Sequence, residues 1–367
     1  MQPVGDGLAV EEALSRWVGR TVWLHAEAIP GGFVRNAPVQ YLAAHVRGRG
    51  RVRVGLRLAG GWVRVEDVEA WDVDPTGAIA LLGYREDGRL ATALEVSPVP
   101  LPEPEPDEPE LESLSGAAAP RLLLFVAHPD DETFICGGAV AAFARAGGEV
   151  HLVCATRGEH GRRLGVPPSV PREALGAVRE AELRAACRAL GVRTLALLGL
   201  RDKCVEFEDE EALAARLARY VRVLRPDAIL TFHPERGGHP DHAAVGRAAT
   251  RAWRLAGEPT WHPEGVPAAA PGPLPRLYYF ASREVAERLG PERTTVVDVA
   301  PVAWEKLRAH RAHRTQTELD RDLWDPDEAR VAARFAHGRE YYEQASPPYV
   351  PGKRGLLGLV PSGGGQP

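Results

Sequence analysis

Lysine, methionine, paired cysteines and long apolar runs are all scarce in this sequence of 367 residues. Lys203, Lys306 and Lys353 are its lysines, so arginine carries nearly all of the positive charge, which we interpret as genome composition. The formal net charge of −5 is mild for a chain of this size. A mild charge produces no strong overall field, so we expect neither nucleic acid nor an anionic membrane as a partner.

The few cysteines and the lack of targeting signals indicate the compartment. Cys136, Cys154, Cys187 and Cys204 show no Cys-x-x-Cys spacing and lie in or beside apolar segments, as is typical of reduced structural thiols. The first residues carry no basic region followed by an apolar one, so no signal peptide is expected. No stretch approaches the ~20 apolar residues of a membrane span. We therefore expect a cytoplasmic protein.

The hydrophobic period changes along the chain and divides it into segments. Residues 1–97 alternate apolar and polar positions between turn signals such as Gly60-Gly61, which predicts a small, mostly antiparallel β domain. Residues 98–120 are rich in proline and glutamate and are predicted to be an extended linker. A larger domain is predicted over 121–345, and a flexible tail over 346–367.

One strand of the predicted β domain alternates aliphatic residues with arginines, over Arg51–Leu58. Such a strand could present a basic binding face together with Arg64. The ordinary explanation is the solvated outer face of a half-buried sheet, and we favour it. We expect no chemistry in this domain.

The larger domain repeats a strand followed by a helix. Repeats of this length predict an α/β fold with a Rossmann-like, mostly parallel sheet and helices on both faces. No Gly-x-Gly-x-x-Gly motif follows the first strand, which counts against nucleotide binding.

Polar clusters follow two of the predicted buried strands. Ala127–Glu132 reads Ala-His-Pro-Asp-Asp-Glu and comes directly after the apolar run Leu122–Val126. His239–His242 reads His-Pro-Asp-His and follows the apolar run Ala228–Phe232. Open α/β sheets bind ligands at the carboxyl ends of their strands, so the two clusters can converge on one metal ion.

His128, Asp131 and His242 form a set of two histidines and one carboxylate. Three nitrogen and oxygen ligands with open positions for water are typical of a catalytic zinc site, and also of non-haem Fe(II) sites. A single histidine or aspartate in a loop is more often a cap or a turn residue. Two clusters at two strand ends make that alternative weak, so we predict a site for a divalent ion.

Together the two clusters resemble the zinc-dependent de-N-acetylases of the PIG-L/LmbE type. These include the deacetylases of mycothiol and bacillithiol synthesis and of the glycosylphosphatidylinositol pathway. The likeness covers about residues 120–345 and includes Thr156–Glu159, Arg225–Asp227 and His313–Gln316, but not the β domain. It implies a Zn²⁺-dependent hydrolase that removes the acetyl group from an N-acetylglucosamine-type substrate.

The resemblance also implies roles for the residues of the first cluster. It makes His128, Asp131 and His242 the zinc ligands, with Fe²⁺ or another divalent ion as the alternative metal. It makes Asp130 the general base, which takes a proton from water as the water attacks the amide carbonyl.

The same resemblance makes His239 the residue that stabilises the oxyanion. Asp241 then either holds His239 in its cationic form or caps the following helix, and the sequence does not separate these two roles. Arg179 and Asp202 match positions that grip the sugar in relatives. An ordinary helical ion pair with Glu182 is the alternative for Arg179.

Two departures leave the substrate open. Some thiol-sugar deacetylases carry a tyrosine where this sequence has Gly237, and the β domain lies outside the family pattern. A small amino-sugar substrate is expected, while the oligomeric state, homo-oligomers included, is open. The alternative functions are a thiol S-conjugate amidase of the same family and a non-catalytic sugar-binding or regulatory protein with a vestigial metal site.

Overall fold

The structure is a computed structural model that describes residues 1–29, 31–110, 119–162, 170, 172–269 and 273–346. The described chain forms two compact units, one holding Met1–Glu103 and the other holding Pro104–Gly161 and the chain from Ala174 onward. Apart from Ser346, the predicted tail lies outside the described residues, as does the 111–118 part of the predicted linker. The predicted domain boundaries stay predictions.

The first unit is an eight-stranded antiparallel sheet with one helix. Its elements are β1 (Gln2–Pro3), α1 (Leu8–Ser15), β2 (Thr21–Ala28), β3 (Gly32–Arg49), β4 (Arg51–Leu58), β5 (Trp62–Val68), β6 (Ala70–Val73), β7 (Ile79–Tyr84) and β8 (Leu90–Ser97). The strand order is β1-β6-β7-β8-β2-β3-β4-β5, and every pairing is antiparallel. The predicted antiparallel β domain is confirmed.

The arginine-bearing strand β4 shows how this sheet buries one face. Val52, Val54 and Leu56 are fully buried, whereas Arg53 and Arg57 between and beside them are exposed. Successive side chains of a strand point to opposite faces, so the arginines form the outer surface of the half-buried sheet.

The second unit contains a seven-stranded, mostly parallel sheet. Its strands are β9 (Arg121–Val126), β10 (Glu149–Thr156), β11 (Thr194–Leu200), β12 (Ala228–Thr231), β13 (Arg276–Ala281), β14 (Thr294–Asp298) and β15 (Arg339–Gln344), in the order β11-β10-β9-β12-β13-β15-β14. The strands β9 to β13 are parallel to one another, and β15 is antiparallel to both β13 and β14. The predicted fold class is confirmed.

Helices connect these strands. They are α2 (Asp131–Phe134), α3 (Gly137–Arg145), α4 (Arg172–Leu190), α5 (Glu210–Leu224), α6 (Pro240–Gly257), α7 (Arg283–Leu289), α8 (Ala303–Ala312), α9 (Arg314–Thr317) and α10 (Glu328–Ala336). The strand order runs one way from β9 to β11 and the other way from β12 to β13, so right-handed crossovers place α3 and α4 on one face and α5 and α6 on the other. No helix within the described ranges has the length and apolar character of a membrane span.

The sheet is covered on both faces, which explains the continuous apolar run of its central strand. Leu122, Leu123, Leu124 and Phe125 are all fully buried, although consecutive residues of a strand point to opposite faces. Strands of a parallel sheet are expected to read in this way.

Part of the predicted linker lies along the free edge of β11. The backbone of Asp107 exchanges two hydrogen bonds of 2.8 Å with that of Leu197. The Asp107 carboxylate pairs with Arg184, and Glu108 pairs with Arg216. This acidic stretch therefore satisfies edge groups of β11 that would otherwise face water.

Candidate metal centre and active site

The two polar clusters lie at neighbouring carboxyl ends of the parallel sheet. β9 and β12 pair directly, with Leu124 opposite Leu230. The strand order reverses between them, and such a reversal opens a crevice at the carboxyl ends of the strands. α2 follows β9 and α6 follows β12, so both clusters project from the edge of that crevice.

Donor atoms of His128, Asp131 and His242 meet in this crevice. His128 Nδ1 lies 3.2 Å from His242 Nε2. Asp131 Oδ1 lies 3.3 Å from His242 Nε2, and Asp131 Oδ2 lies 3.7 Å from His128 Nδ1. The structure thus brings the predicted ligand set together around one point.

The tautomer of His242 is set by a backbone carbonyl. Its Nδ1 lies 3.1 Å from the Gly237 carbonyl oxygen, which can only accept, so Nδ1 carries the proton and Nε2 presents a lone pair. The ring also stacks on Phe232 with centroids 4.0 Å apart. A Cβ at Gly237 would lie 2.6 Å from the backbone nitrogen of Ala243. Glycine at this position therefore allows the close approach that orients His242.

The tautomer of His128 is set by two buried carboxylates. Its Nε2 lies 3.1 Å from Asp241 Oδ2 and 3.1 Å from Asp202 Oδ1, so Nε2 carries the proton and Nδ1 is free to coordinate. Asp241 is fully buried and also accepts hydrogen bonds from the backbone N–H groups of Lys203 and Val205. Such outer carboxylates fix the orientation of a ligand imidazole and raise its basicity.

This donor set fits a divalent cation. Two imidazole lone pairs and a carboxylate turned toward one point repel one another unless a positive charge lies between them. Burial lowers the pKa of His128, but the hydrogen bonds to Asp202 and Asp241 outweigh burial and raise it to about 10. The surroundings of this ring therefore stabilise positive charge, which a metal ion supplies.

Asp131 is buried and held by the loop that precedes it. Its Oδ2 accepts the backbone N–H groups of Ala127 at 3.2 Å and His128 at 2.8 Å. Burial raises the pKa of Asp131, but the hydrogen bond to His242 and the nearby imidazoles lower it further than burial raises it. The carboxylate is therefore ionised, as a metal ligand must be.

Asp130 takes a separate position from Asp131. Its Oδ2 accepts a hydrogen bond of 2.8 Å from Arg179, and its backbone has φ 109° and ψ −24°. Burial raises the pKa of Asp130 to about 6, against the opposing charge of Arg179. The two adjacent aspartates therefore have different partners: Asp131 contacts His128 and His242, whereas Asp130 contacts Arg179.

His239 is the N-cap of α6. Its Nδ1 accepts the backbone N–H of Asp241 at 3.2 Å, and its ring centroid lies 5.0 Å from that of His128. Of the two roles left open for Asp241, that of the helix cap is therefore wrong. Burial and the neighbouring His128 lower the pKa of His239. The Asp241 carboxylate forms hydrogen bonds with His128 and with backbone N–H groups, and its charge raises the pKa of His239 by less than burial and His128 lower it.

Arg179 is buried and binds the active-site loops. Its guanidinium donates to the Gly158 carbonyl at 2.7 Å, to the Pro129 carbonyl and to Asp130. A Cβ at Gly158 would lie 2.0 Å from Arg179 Nη1, so this glycine makes room for the guanidinium. Glu182, the expected ion-pair partner, instead accepts from Thr315, so the helical ion-pair alternative is wrong.

Asp202 also lies in the site, where it contacts a ligand histidine. One oxygen is 3.1 Å from His128 Nε2, and the other accepts the backbone N–H of His160 at 2.9 Å. The predicted grip of Arg179 and Asp202 on the sugar stays a prediction.

Sequence reasoning gave too little weight to Glu132 and His313. Both are fully buried, and Glu132 Oε1 lies 2.7 Å from His313 Nε2. The only sequence signal was their place in the two family motifs, because the contact joins residues that are 181 positions apart.

Comparisons with known proteins identify the family. The family model described as "GlcNAc-PI de-N-acetylase" (PIG-L) matches residues 123–253, and one described as "Protein of unknown function (DUF1806)" matches residues 6–101. The probable N-acetyl-alpha-D-glucosaminyl L-malate deacetylase 2 of Bacillus subtilis is 38% identical over 54% of this chain and 83% of its own length.

Two further proteins extend the comparison. The 1D-myo-inositol 2-acetamido-2-deoxy-alpha-D-glucopyranoside deacetylase of Kineococcus radiotolerans is 34% identical over 70% of this chain and 84% of its own. The N,N'-diacetylchitobiose deacetylase structure from Pyrococcus horikoshii aligns with a TM-score of 0.49 and 23% identity, over 64% of this chain and 88% of its own. The match of the Bacillus subtilis enzyme over most of its length confirms the resemblance read from the motifs: the chain belongs to the PIG-L family of de-N-acetylases, which are amide hydrolases.

Proposed function

We propose that this protein is a metal-dependent hydrolase that removes the acetyl group from an N-acetylglucosamine-type substrate and releases acetate and a free amine. Family membership supports the reaction class. The observation that carries the proposal is the meeting of His128 Nδ1, His242 Nε2 and the Asp131 carboxylate within 3.7 Å of one another, beside Asp130.

His128, Asp131 and His242 would hold the ion. Zinc suits two imidazoles and a carboxylate with coordination positions left open, and Fe²⁺ is compatible with the same donors. When bound, the ion acts as a Lewis acid that polarises the acetamide carbonyl and lowers the pKa of water.

Asp130 would act as the general base. Among its described contacts, Oδ2 accepts from Arg179, which leaves Oδ1 to take a proton from the attacking water. The protonated carboxyl can then give that proton to the nitrogen of the leaving amine. Arg179 keeps the carboxylate in place through the reaction.

His239 would stabilise the oxyanion as a neutral imidazole. Its Nδ1 accepts the backbone N–H of Asp241, so the ring proton is on Nε2. A fixed N–H donor toward the carbonyl oxygen stabilises the negative charge that develops there. This differs from the cationic role expected from the sequence, because the helix cap uses the other ring nitrogen.

The substrate class follows from the relatives. Their names describe deacetylation of N-acetylglucosaminyl malate and of an N-acetylglucosaminyl inositol. We propose a substrate of the same kind, an N-acetylglucosamine joined to a small polar group, as in a bacillithiol or mycothiol precursor.

The test is an amine-release screen over N-acetylglucosaminyl malate, N-acetylglucosaminyl inositol, diacetylchitobiose and a thiol S-conjugate. Asp130→Asn should reduce kcat by about 10²–10⁴-fold, the range for loss of a general base, while the bound metal stays at one ion per chain. Asp322→Asn, at an exposed aspartate of the same unit, is the matched control.

Wild-type amine release by Asp130→Asn would contradict the mechanism. Turnover of the thiol S-conjugate alone would instead favour the amidase alternative. Absence of turnover on every substrate, with metal bound, would support the non-catalytic alternative.

A further inference from the structure

The backbone of Asp130 is strained. Its φ of 109° lies in the left-handed region, where residues with a Cβ meet steric hindrance. Such a conformation is costly and persists only where the surroundings hold it. Arg179 holds the Asp130 carboxylate and the preceding Pro129 carbonyl, and the Asp130 carbonyl accepts the backbone N–H groups of Thr133 and Phe134.

Glu132 holds the remaining polar group of this backbone, the N–H of Asp130. Its Oε2 accepts the backbone N–H of Asp130 at 3.0 Å. Its Oε1 accepts from the Thr133 hydroxyl and lies 2.7 Å from His313 Nε2. Both oxygens of this fully buried carboxylate therefore have hydrogen-bond partners. Oε2 accepts from Asp130, and Oε1 contacts Thr133 and His313.

His313 brings the support from a distant part of the chain. It follows the end of α8, is fully buried and packs edge-on against Phe134 with centroids 5.9 Å apart. Its Nε2 faces a carboxylate, so Nε2 donates and the contact is charge-assisted. The C-terminal part of the domain thereby reaches the loop of the first cluster.

We propose that Glu132 and His313 are positioning residues of the deacetylase: the pair clamps the strained backbone of Asp130, so that its carboxylate points at the reacting water. This inference rests on the proposed role of Asp130 as the base. Neither residue contacts the three proposed metal ligands through the side-chain hydrogen bonds that the structure describes. Their loss therefore affects proton transfer and leaves metal binding and substrate binding in place.

The experiment measures kcat, KM and bound metal for Glu132→Ala, His313→Ala and His313→Gln. We expect kcat to fall about 10–100-fold in the alanine variants, as for other outer residues that orient an active site, with KM and metal content unchanged. His313→Gln retains an N–H donor toward Glu132 and should recover most of the lost kcat. Circular dichroism checks that each variant is folded.

The matched control is His310→Gln, the same substitution one helical turn earlier. The His310 ring packs against Phe134 at a tilt and edge-on against Phe335, and its Nδ1 lies 2.9 Å from the Lys306 carbonyl oxygen. It should keep the wild-type kcat. A loss as large as that in His313→Ala would overturn the inference, because packing and not the contact with Glu132 would then explain both.

A double-variant cycle separates this inference from the proposed function. If Glu132 acts through Asp130, Glu132→Ala should cost nothing further in an Asp130→Asn background. An equal loss in both backgrounds would overturn the positioning role while leaving Asp130 as the base. If Asp130→Asn alone keeps the wild-type kcat, the proposed role of Asp130 as the general base is wrong, and the positioning role that rests on it is wrong as well. Should Glu132→Ala not fold, Glu132→Gln enters the same cycle with the same two outcomes.

Discussion

The two sheets of this protein are built from similar apolar residues but use the ends of their strands differently. In the antiparallel sheet, neighbouring strands end at opposite edges, and short turns such as Gly60-Gly61 join them. In the parallel part of the other sheet, the carboxyl ends of five strands share one edge. Polar residues that follow the parallel strands therefore lie close together at one edge of the sheet. Polar residues in the turns of the antiparallel sheet are divided between its two edges.

The described residues show the consequence. The sets of histidines and carboxylates that could hold a metal ion all contain His128, at the parallel edge. Within the described part of the antiparallel unit no such set is found. The topology of the parallel sheet thus determines where the histidines and carboxylates come together. The same comparison predicts which substitutions will lower activity.

The largest effect is expected from His242→Ala, which removes one donor from the metal set. Loss of a metal that contributes several kcal/mol to the transition state corresponds to a fall in kcat of at least about 10³-fold. Metal analysis and amine release measure the change. His45→Ala, at a partly exposed histidine of the antiparallel unit, is the control and should change neither. A large loss of bound metal or of amine release in His45→Ala would contradict the conclusion that the metal set belongs to the parallel sheet.

The meeting of the two polar clusters was predictable because the signal that begins each of them is local. An apolar run followed directly by His-Pro-Asp-Asp predicts a buried strand that ends in a loop, and His-Pro-Asp-His at 239–242 follows the apolar run Ala228–Phe232 after residues 233–238. Parallel strands then bring both loops to one edge. The choice of His128, Asp131 and His242 as ligands within these loops follows from the family resemblance and stays a prediction.

The supporting contacts were not predictable in the same way. Whether Asp241 caps α6 or binds His128 depends on one backbone turn, since His239 and Asp241 lie two residues apart and both can cap. The contact between Glu132 and His313 depends on how α8 packs, which no local pattern specifies. β15 was also missed, because its sequence Arg-Glu-Tyr-Tyr-Glu-Gln shows no apolar run.

A smaller effect is expected from matched core truncations in the two sheets. Leu94 in β8 and Leu124 in β9 are both fully buried. Leu94→Ala and Leu124→Ala should each lower the free energy of unfolding by about 2–5 kcal/mol. Only Leu124→Ala should also lower kcat, because β9 carries the loop that holds His128. Urea denaturation and amine release measure the two effects, and an equal fall in kcat for both variants would show that the sheets are functionally coupled.

The smallest effect expected is a loss of stability at acid pH in the unit with the parallel sheet. It depends on the protonation of His151. This histidine lies in β10, with its Nδ1 2.8 Å from Thr194 Oγ1, and burial lowers its pKa from 6.5 to about 4. Between these two values the unfolded chain binds more protons than the folded chain, so the free energy of unfolding rises with pH. This contribution is complete above pH 6.5 and is lost progressively as the pH falls toward about 4. Burial lowers the pKa of His310 in the same direction, to about 3.

His151→Asn removes this titration and keeps a polar group toward Thr194. Its urea midpoint should fall less steeply with decreasing pH than that of the wild-type protein over the same window. Amide hydrogen exchange, followed strand by strand, shows which sheet opens. We expect β10 to lose protection at a higher pH than β8, because β8 carries no histidine. Equal pH slopes in the two proteins would remove His151 as the cause, and earlier opening of β8 would place the acid-sensitive group in the antiparallel unit.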